Sequence, residues 1–495
     1  MLIPLLIIPT ITIFLILVCR SHKQVKVVSA AGMALQLIYS IYVLIEYLNL
    51  RSLGNIEEML FVQSYQWFES FNIYFTVGLD GISASLAVLT AIVTFSGVLA
   101  TWGLEYRVKE FFISLIVLST GVYGFFISLD LFTMFMFYEL AVIPMYLLIG
   151  IWGSGKKEYS AMKLTLMLMG ASAVLLVGII GLYANSGSGD NLTYNILELA
   201  KLNLPLDVQK FLFPLIFVGF GVLGALFPLH TWSPDGHSSA PTAVSMLHAG
   251  VLMKMGGYGC LRVAMYLLPE AANELGWIFI VLTTISVVYG AFGAIVQKDL
   301  KYINAYSSVS HCGLVLFAIL MSNKISLNGS VIQMISHGLM TALFFALIGM
   351  IYERTHTRDI NLMGGLMKTI PFLSVSYMIA GFASLGLPGL SGFVAEMTIF
   401  VGAFQYSDTF HRTATIIACA SIVITAVYIL RVVGKLLLGP VENKDYLTFR
   451  DAFWNERAVA VILIIAIAGI GIAPLWLSDM ITNSLNPIIL KLRSF

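Results

Sequence analysis

Long apolar stretches of about 20 residues follow one another along the chain, and short polar loops separate most of them. A helix needs about 20 predominantly apolar residues to cross the hydrocarbon core of a bilayer. The stretches that meet this length are 2–19, 27–49, 81–103, 111–128, 131–152, 161–184, 210–227, 242–267, 276–296, 303–322, 329–352, 371–390, 413–438 and 458–478. We therefore predict an all-α polytopic membrane protein with about 14 transmembrane helices.

Two of the predicted helices are interrupted by proline. Helix 7 runs into Pro228, and helix 12 runs into Pro388 with glycines on either side. Proline removes a helical hydrogen bond and clashes with the preceding turn. If helices 4–8 and 9–13 form two five-helix units, each break falls in the fourth helix of its unit. Interrupted helices at matching positions indicate inverted repeats with an ion path near the membrane centre. The alternative is that both prolines only kink packed helices.

This division predicts four parts of the chain. Helices 1–3 occupy residues 1–110, the first five-helix repeat 111–268, the second repeat 269–440, and helix 14 with a tail 441–495. The segments 51–80 and 185–209 are polar enough to lie in water or on the membrane surface. No stretch is long and polar enough for a sizeable soluble domain.

Composition and charge agree with this interpretation. The chain is 59% hydrophobic and 11% charged, whereas soluble domains carry about 25% charged residues. The net charge of +1 includes no basic patch that favours nucleic acid. The four cysteines show no CxxC spacing, which argues against an iron–sulfur site or a disulfide framework.

Basic residues in short loops indicate the orientation, because they favour the cytoplasmic side. They concentrate in alternate loops, namely at Arg20, Lys23, Lys26, Arg107, Lys109, Lys156, Lys157, Lys298, Lys301, Arg354, Arg358 and Lys368. The intervening loops lean acidic. This bias places the N-terminus outside, and an even number of helices returns the C-terminus to the same side, although Lys491 and Arg493 run mildly against it.

Glu139 is the first candidate functional residue, because it lies in the middle of a membrane-length apolar helix. A charge at that depth costs several kcal/mol, so a partner is expected. Lys163, early in helix 6, is the candidate partner. Burial and a nearby lysine shift the pKa of a carboxylate in opposite directions, so such a pair can change protonation at small cost. The alternative is a static salt bridge.

Four further titratable residues, Lys254, His311, His337 and Glu396, lie at similar membrane depth, and we predict that they form the inner-to-outer half of a proton path. Lys254 is too deep to reach the membrane surface easily, and glycines surround it. His311 and His337 lie on neighbouring helices, and histidine exchanges protons near neutral pH. Glu396 follows the break in helix 12. The remaining candidate, His248, lies six residues before Lys254. His311 or His337 alone is more often a structural core residue, and the placement of both on adjacent helices in line with Lys254 and Glu396 is what supports a functional role.

One polar cluster after the helix 7 break carries ligand-type side chains. His230, Asp235 and His237 lie within eight residues, but their spacing does not repeat as in known metal motifs. We predict no metal site there.

Several motifs resemble the antiporter-like subunits of respiratory complex I. They occupy 137–140, 144–146, 228–237 (Pro-Leu-His-Thr-Trp-Ser-Pro-Asp-Gly-His), 240–243, 297–301, 305–311 and 352–359. The length is most similar to the M-type subunit. The resemblance implies a location in a bacterial inner membrane, and the basic loops predict that both termini lie on its periplasmic side. The resemblance implies a proton-pumping NADH:quinone oxidoreductase, and it matches Glu139 with Lys163, Lys254 and Glu396 to the proton-carrying residues of the family.

The resemblance also implies a division of labour between subunits. The chain has no glycine-rich nucleotide loop, cysteine cluster or haem motif, so we expect no cofactor in this chain and FMN, iron–sulfur clusters and quinone in partner subunits. Its expected partners are other membrane subunits of complex I, including neighbouring antiporter-like subunits, and the lipid bilayer. This chain would move protons while its partners move electrons.

One position departs from the family pattern. The family usually has a lysine five residues before the proline of the Pro-Leu-His motif, and this chain has Leu223 there. His248 is the candidate replacement, because it is an unexplained basic residue on helix 8. The alternative is that His248 donates to a backbone carbonyl that the helix 7 break has freed.

Other functions remain open on the sequence. An Mrp-type cation/proton antiporter subunit shares these motifs, as does the membrane arm of a related hydrogenase. A purely structural membrane scaffold is the fourth possibility, and the recurring buried charges argue against it. The length and the motif at 352–359 favour complex I over Mrp.

Overall fold

The chain folds into a mainly helical structure, described by a computed structural model for residues 1–188, 191–441 and 443–494. Its helices are α1 (Pro4–Val18), α2 (His22–Ser52), α3 (Gly81–Ala100), α4 (Val108–Ile127), α5 (Leu131–Trp152), α6 (Lys157–Ala184), α7 (Ile196–Leu199), α8 (Leu206–Leu223), α9 (Trp232–Ser239), α10 (Thr242–Leu247), α11 (Met253–Gly259), α12 (Pro269–Val296), α13 (Leu300–Leu320), α14 (Lys324–Thr355), α15 (Leu366–Thr369), α16 (Pro371–Ser384), α17 (Ser391–Ala403), α18 (Thr409–Leu437), α19 (Trp454–Ile472) and α20 (Leu475–Arg493). The strands are β1 (Leu60–Phe68) and β2 (Ile73–Leu79).

Eleven of the described helices are long and apolar enough to cross a membrane, and three shorter apolar helices, α1, α16 and α17, accompany them. This agrees with the predicted helical membrane fold. The number of crossings and the domain boundaries stay predictions. α14 lies at the centre of the molecule, because the most apolar part of this helix is completely buried. The corresponding parts of α2 and α19 are mostly exposed.

The two helix breaks share one backbone geometry. α8 ends at Leu223 and α16 at Ser384. Two residues further on, Ala225 and Gly386 have φ of 58° and 66°, the left-handed conformation that terminates helices. The breaks therefore begin before Pro228 and Pro388, and the left-handed residue, rather than the proline, ends each helix.

The chain around the breaks makes matching hydrogen bonds. The amide of Leu226 donates to the carbonyl of Gly221 at 2.9 Å, and that of Leu387 donates to Phe382 at 3.1 Å. Both bonds span five residues, as expected for a helix that closes through a left-handed residue. The matched geometry supports two related units, and their inversion stays a prediction.

Close helix contacts are also matched between the two units. A Cβ atom on Gly121 of α4 would lie 2.7 Å from the amide nitrogen of Ala141 on α5. A Cβ atom on Gly290 of α12 would lie 2.5 Å from that of Ser310 on α13. Small residues let helix backbones approach closely inside a membrane, so both helix pairs depend on glycine at the crossing.

Two regions differ from the all-helical prediction. The polar segment 51–80 contains an antiparallel hairpin, in which Tyr65 of β1 pairs with Phe75 of β2. Asn72 makes the turn with φ of 51°. The last predicted span, 458–478, also differs from the structure: α19 ends at Ile472, and a further helix, α20, follows it. Polar residues interrupt the apolar run in the sequence of α20, so hydropathy alone did not predict this helix.

Candidate functional site

Residues 242–267 form one continuous helical stretch that includes α10 and α11. It contains two π-helical segments, His248–Leu252 and Cys260–Met265. In the first segment, the amide of Met253 donates to the carbonyl of His248, five residues back. The carbonyl of Ala249 thereby loses its α-helical donor and accepts a hydrogen bond from Lys254 Nζ instead. Such π segments occur frequently at functional sites. Here the segment orients a lysine that is only 2% exposed.

Lys254 contacts the first of two histidines. Its Nζ lies 2.7 Å from Nδ1 of His337. The rings of His337 and His311 are 5.2 Å apart between centroids. A small cavity of about 10 Å³ borders Lys254, with Gly224 and Cys312 in its wall, which is close to the lower limit for one water molecule.

His311 connects this group to the second helix break. Its Nδ1 lies 3.5 Å from Oε1 of Glu396 on α17 and 3.1 Å from Nε2 of Gln333. Its Nε2 lies 3.3 Å from Oγ of Ser384, the last residue of α16. A Cβ atom on Gly386 would lie 2.8 Å from the Glu396 carboxylate. The break thus makes room for this carboxylate and supplies a polar group beside the imidazole.

Four of the predicted site residues therefore form one continuous buried line. The contacts lead from Lys254 through His337 and His311 to Glu396. All four are at most 8% exposed. Buried ionisable residues in membrane helices face the bundle interior and mark ion or proton pathways. The arrangement can pass a proton between a lysine and a carboxylate through two imidazoles.

A separate ion pair lies between α6 and α9. Nζ of Lys163 is 2.7 Å from Oδ2 of Asp235, and the hydroxyl of Tyr302 donates to Oδ1 at 3.1 Å. The structure thus pairs Lys163 with Asp235, and the expected pair with Glu139 is wrong. Glu139 precedes the end of α5 by 13 residues (139 to 152), whereas Lys163 follows the start of α6 by six (157 to 163). At 1.5 Å per residue, the two lie roughly 10 Å apart in depth.

Glu139 faces a groove on the surface of the protein. The groove encloses about 540 Å³, and its other lining residues include Tyr65, Trp67, Phe137 and Ile143. Within the described part of the chain, Glu139 has no ion pair or side-chain hydrogen bond. The buried core of the described chain therefore supplies no counter-ion for Glu139.

His248 lies in a stack of four rings. Its imidazole is 4.0 Å from that of His237 and 5.1 Å from Trp232, while Phe345 covers the other face of His237 at 5.0 Å. Both histidines are fully buried, and none of their four ring nitrogens has a hydrogen-bond partner among the described residues. His248 therefore does not donate to a carbonyl freed by the helix break.

Unpartnered buried nitrogens cost about 1–3 kcal/mol each. Ordered water normally satisfies such groups in native proteins. We therefore expect water beside the His237–His248 stack. His248 precedes Lys254 by six residues (248 to 254) in the same continuous helical stretch, so the stack adjoins the buried line.

The buried contacts of several basic loop residues were not predicted from the sequence. Lys301, 6% exposed, donates to the carbonyl of Ala240 at 2.5 Å. Arg358 pairs with Asp299 at 3.0 Å and donates to the carbonyl of Ser238 at 2.7 Å. These contacts fix the α9–α10 junction against α13. From the sequence, Asp235 was considered only as a possible metal ligand, and the available signal was its position seven residues after Pro228 (228 to 235), in the segment that follows the predicted helix break.

Two buried ion pairs lie outside the line and hold helices together. Arg262 pairs with Asp80, the N-cap of α3, and both are 1% exposed. Arg354 forms two bonds of 2.9 and 2.7 Å to Glu456 at the start of α19. Because each charge has a close opposite charge, these pairs are structural clamps.

The fold and this interior define a polytopic helical membrane protein of the antiporter-like class. Residues 128–425, more than half of the chain, match the family described as "NADH:quinone oxidoreductase/Mrp antiporter, TM". The chain belongs to this family. It is 34% identical over 491 residues to "NADH-quinone oxidoreductase subunit M" of Rickettsia conorii, covering 98% of this chain and 97% of that relative. It is 36% identical over 419 residues to "NAD(P)H-quinone oxidoreductase chain 4 1" of a Synechococcus species, covering 83% and 78%.

Solved structures show the same fold. A chain of "Respiratory complex I from Thermus thermophilus with bound NADH" matches with a TM-score of 0.89 at 24% identity, over 99% of this chain and 100% of that one. A chain of the "Mrp complex from Dietzia sp." matches with a TM-score of 0.83 at 20% identity, over 99% and 98%. At these identities the comparison establishes the architecture alone.

Proposed function

We propose that the chain is a proton-translocating M-type membrane subunit of an NADH:quinone oxidoreductase. The observation that carries this proposal is the buried line of Lys254, His337, His311 and Glu396 across two helix breaks. The redox chemistry takes place in partner subunits, which hold FMN, iron–sulfur clusters and quinone. The chain contributes to the enzyme as a translocase subunit without a redox centre of its own.

The stack of His237 and His248 extends the line toward the basic loops. Lys163 and Asp235 lie beyond it, at the start of α6 and on α9. Protons enter near this ion pair, pass the His237–His248 stack with the water expected beside it, reach Lys254 and leave from Glu396 toward the opposite side. His248 supplies the titratable group that Leu223, fully buried and apolar, does not.

Glu139 serves the contact with a neighbouring antiporter-like subunit. Its carboxylate lines an exposed, mainly aromatic and aliphatic groove at membrane depth. A cation brought by the neighbour would give it the partner that a membrane carboxylate requires.

The chain lies in a bacterial inner membrane with both termini on the periplasmic side. The alternating distribution of basic loop residues supports this orientation. An Mrp-type antiporter subunit shares the fold. The near full-length identity to a subunit M of NADH-quinone oxidoreductase favours the complex I function.

The test uses Lys254→Met in the assembled complex, reconstituted in liposomes. Methionine has similar length and no charge, so we expect NADH-driven proton uptake to fall at least about tenfold. NADH oxidation by an artificial acceptor should stay unchanged, because it does not require the membrane path. Lys324→Met, at the start of α14, is the matched control. Unchanged pumping by an assembled Lys254→Met complex would contradict the proposal, and Na⁺/H⁺ exchange without NADH would favour the Mrp alternative.

A further inference from the structure

A polar pocket lies where the chain enters α19, far from the buried line. It has a volume of about 300 Å³, and its lining includes Arg450, Asp451, Trp454 and Arg457. α19 is a candidate membrane span that begins at Trp454. The pocket is therefore at the boundary between membrane and water, where tryptophan is enriched.

The two arginines of the pocket lack counter-ions. In the described part of the chain, neither forms an ion pair. The guanidinium of Arg450 lies over the ring of Phe453 at 4.9 Å, and that of Arg457 over the ring of Phe372 at 5.6 Å. Aromatic faces hold these groups in place but leave their donors available.

The nearby carboxylates are already occupied. Asp451 accepts hydrogen bonds from the amides of Phe372 at 2.9 Å and Leu373 at 3.4 Å. Glu456 forms two bonds to Arg354. Asp451 offsets one of the two arginines, so the lining of the pocket keeps a net charge of +1 (two positive, one negative), and planar guanidinium groups bind phosphate oxygens well.

An exposed apolar stripe continues from the pocket along α19. Trp454, Val461, Ile465 and Ile472 follow at intervals of seven, four and seven residues and are between 43% and 75% exposed. This spacing places them on one helix face. The stripe spans 18 residues (454 to 472), or roughly 27 Å, which is enough to accompany an acyl chain through one leaflet.

The pocket also lies on the side where the basic loops gather. Arg354 donates to the carbonyl of Arg450 at 2.8 Å. The rings of Trp454 and Trp102 meet edge to face at 5.4 Å, next to the loop that carries Arg107. Anionic lipids on the cytoplasmic side attract basic groups close to the surface.

We propose that this pocket binds an anionic phospholipid. The phosphodiester group occupies the space between Arg450 and Arg457, and the acyl chains lie on the stripe of α19. The combination of a net positive pocket and a continuous apolar face selects a lipid over free phosphate, which would use only the pocket.

The experiment uses the assembled complex in lipid nanodiscs that contain a phosphatidylglycerol with a photoreactive acyl chain. Cross-links on peptides of α19 are counted by mass spectrometry. Arg450→Gln with Arg457→Gln should reduce this labelling roughly tenfold. Arg20→Gln with Lys23→Gln removes two charges from another basic loop and should leave it unchanged. Photoreactive phosphatidylcholine should label α19 weakly in all variants.

Several results would overturn the proposal. Equal labelling by the two lipids, or no effect of the arginine variant, would exclude an anionic headgroup site. Loss of labelling when inorganic phosphate replaces chloride at constant ionic strength would assign the pocket to free phosphate. If the glutamine variant does not assemble, Arg450→Lys with Arg457→Lys keeps the charge and should retain most of the labelling, and loss of labelling in that assembled variant would contradict the charge-based site.

Discussion

The two helices that follow the breaks place a carboxylate at the same position but give it different partners. Asp235 of α9 follows the left-handed Ala225 by ten residues, and Glu396 of α17 follows the left-handed Gly386 by ten (386 to 396). Asp235 contacts the ammonium group of Lys163, whereas Glu396 contacts the imidazole of His311. The same helix break therefore precedes a lysine–aspartate salt bridge in the first unit and a histidine–glutamate pair in the second.

The two carboxylate pairs also differ in their exposure to solvent. The side chains of Asp235 and Lys163 are 24% and 22% exposed, whereas those of Glu396 and His311 are 11% and 6% exposed. Water screens the first pair, and its charges can persist. The second pair lies where an uncompensated charge is costly, so protonation is the easier response to a change nearby.

The largest effect is expected from Glu396→Gln. Glutamine keeps the size of the side chain but cannot exchange a proton, so proton pumping by the assembled complex should fall at least about tenfold. Proton uptake into liposomes driven by NADH measures this. Glu456→Gln is not a suitable control, because Glu456 clamps Arg354; Glu270→Gln, at the start of α12, removes a carboxylate outside the line. Pumping at the level of the unaltered complex would rule out a role for Glu396.

The next prediction concerns a substitution that gives Glu396 the same kind of partner that Asp235 has. His311→Lys replaces the imidazole beside Glu396 by a more basic amine, as Lys163 lies beside Asp235. The pair should then remain ionised, and pumping should fall several-fold while the complex still assembles. His311→Gln keeps hydrogen bonding without the charge and separates the two effects. A His311→Lys complex that pumps normally would show that a titratable partner is unnecessary.

A smaller effect is expected at the ring stack. His248→Leu removes one titratable ring and should reduce pumping several-fold, and the addition of Leu223→Lys should restore part of it, because it returns a basic group near the same path. Proton uptake by the single and double variants is compared in one preparation. Full pumping by His248→Leu would refute the compensation. His356→Leu, at the end of α14, is the control for loss of a histidine elsewhere.

The smallest effect on pumping is expected from Asp235→Asn. Lys163 is partly exposed and remains hydrated without its partner, so we expect a loss of stability of no more than about 1 kcal/mol. The thermal midpoint of the assembled complex should fall by about 1 °C or less, because the unfolding entropy of a chain of this length is large, and pumping should be reduced less than twofold. A loss of pumping as large as that of Glu396→Gln would place both carboxylates in the same functional class and remove the contrast between the halves.

The sequence by itself determined the membrane class, most helices and the identity of the buried candidates. Hydropathy is a local property, so the long apolar helices follow from it, and the prolines at 228 and 388 indicate the two interrupted helices. Lys254, His311, His337 and Glu396 are also visible as charges at membrane depth. The hairpin of β1 and β2 and the amphipathic α20 were missed because neither forms a long apolar run.

Only the tertiary structure decided which of these groups meet. The pairing of Lys163 with Asp235 rather than Glu139 depends on the depth of each residue and on the turn that returns α9 toward α6. The stacking of His248 on His237 depends on the π-helical segment that follows Leu247. Sequence patterns report the burial of each helix face, but the partner across a helix interface is set by crossing positions and breaks, which are properties of the packed structure.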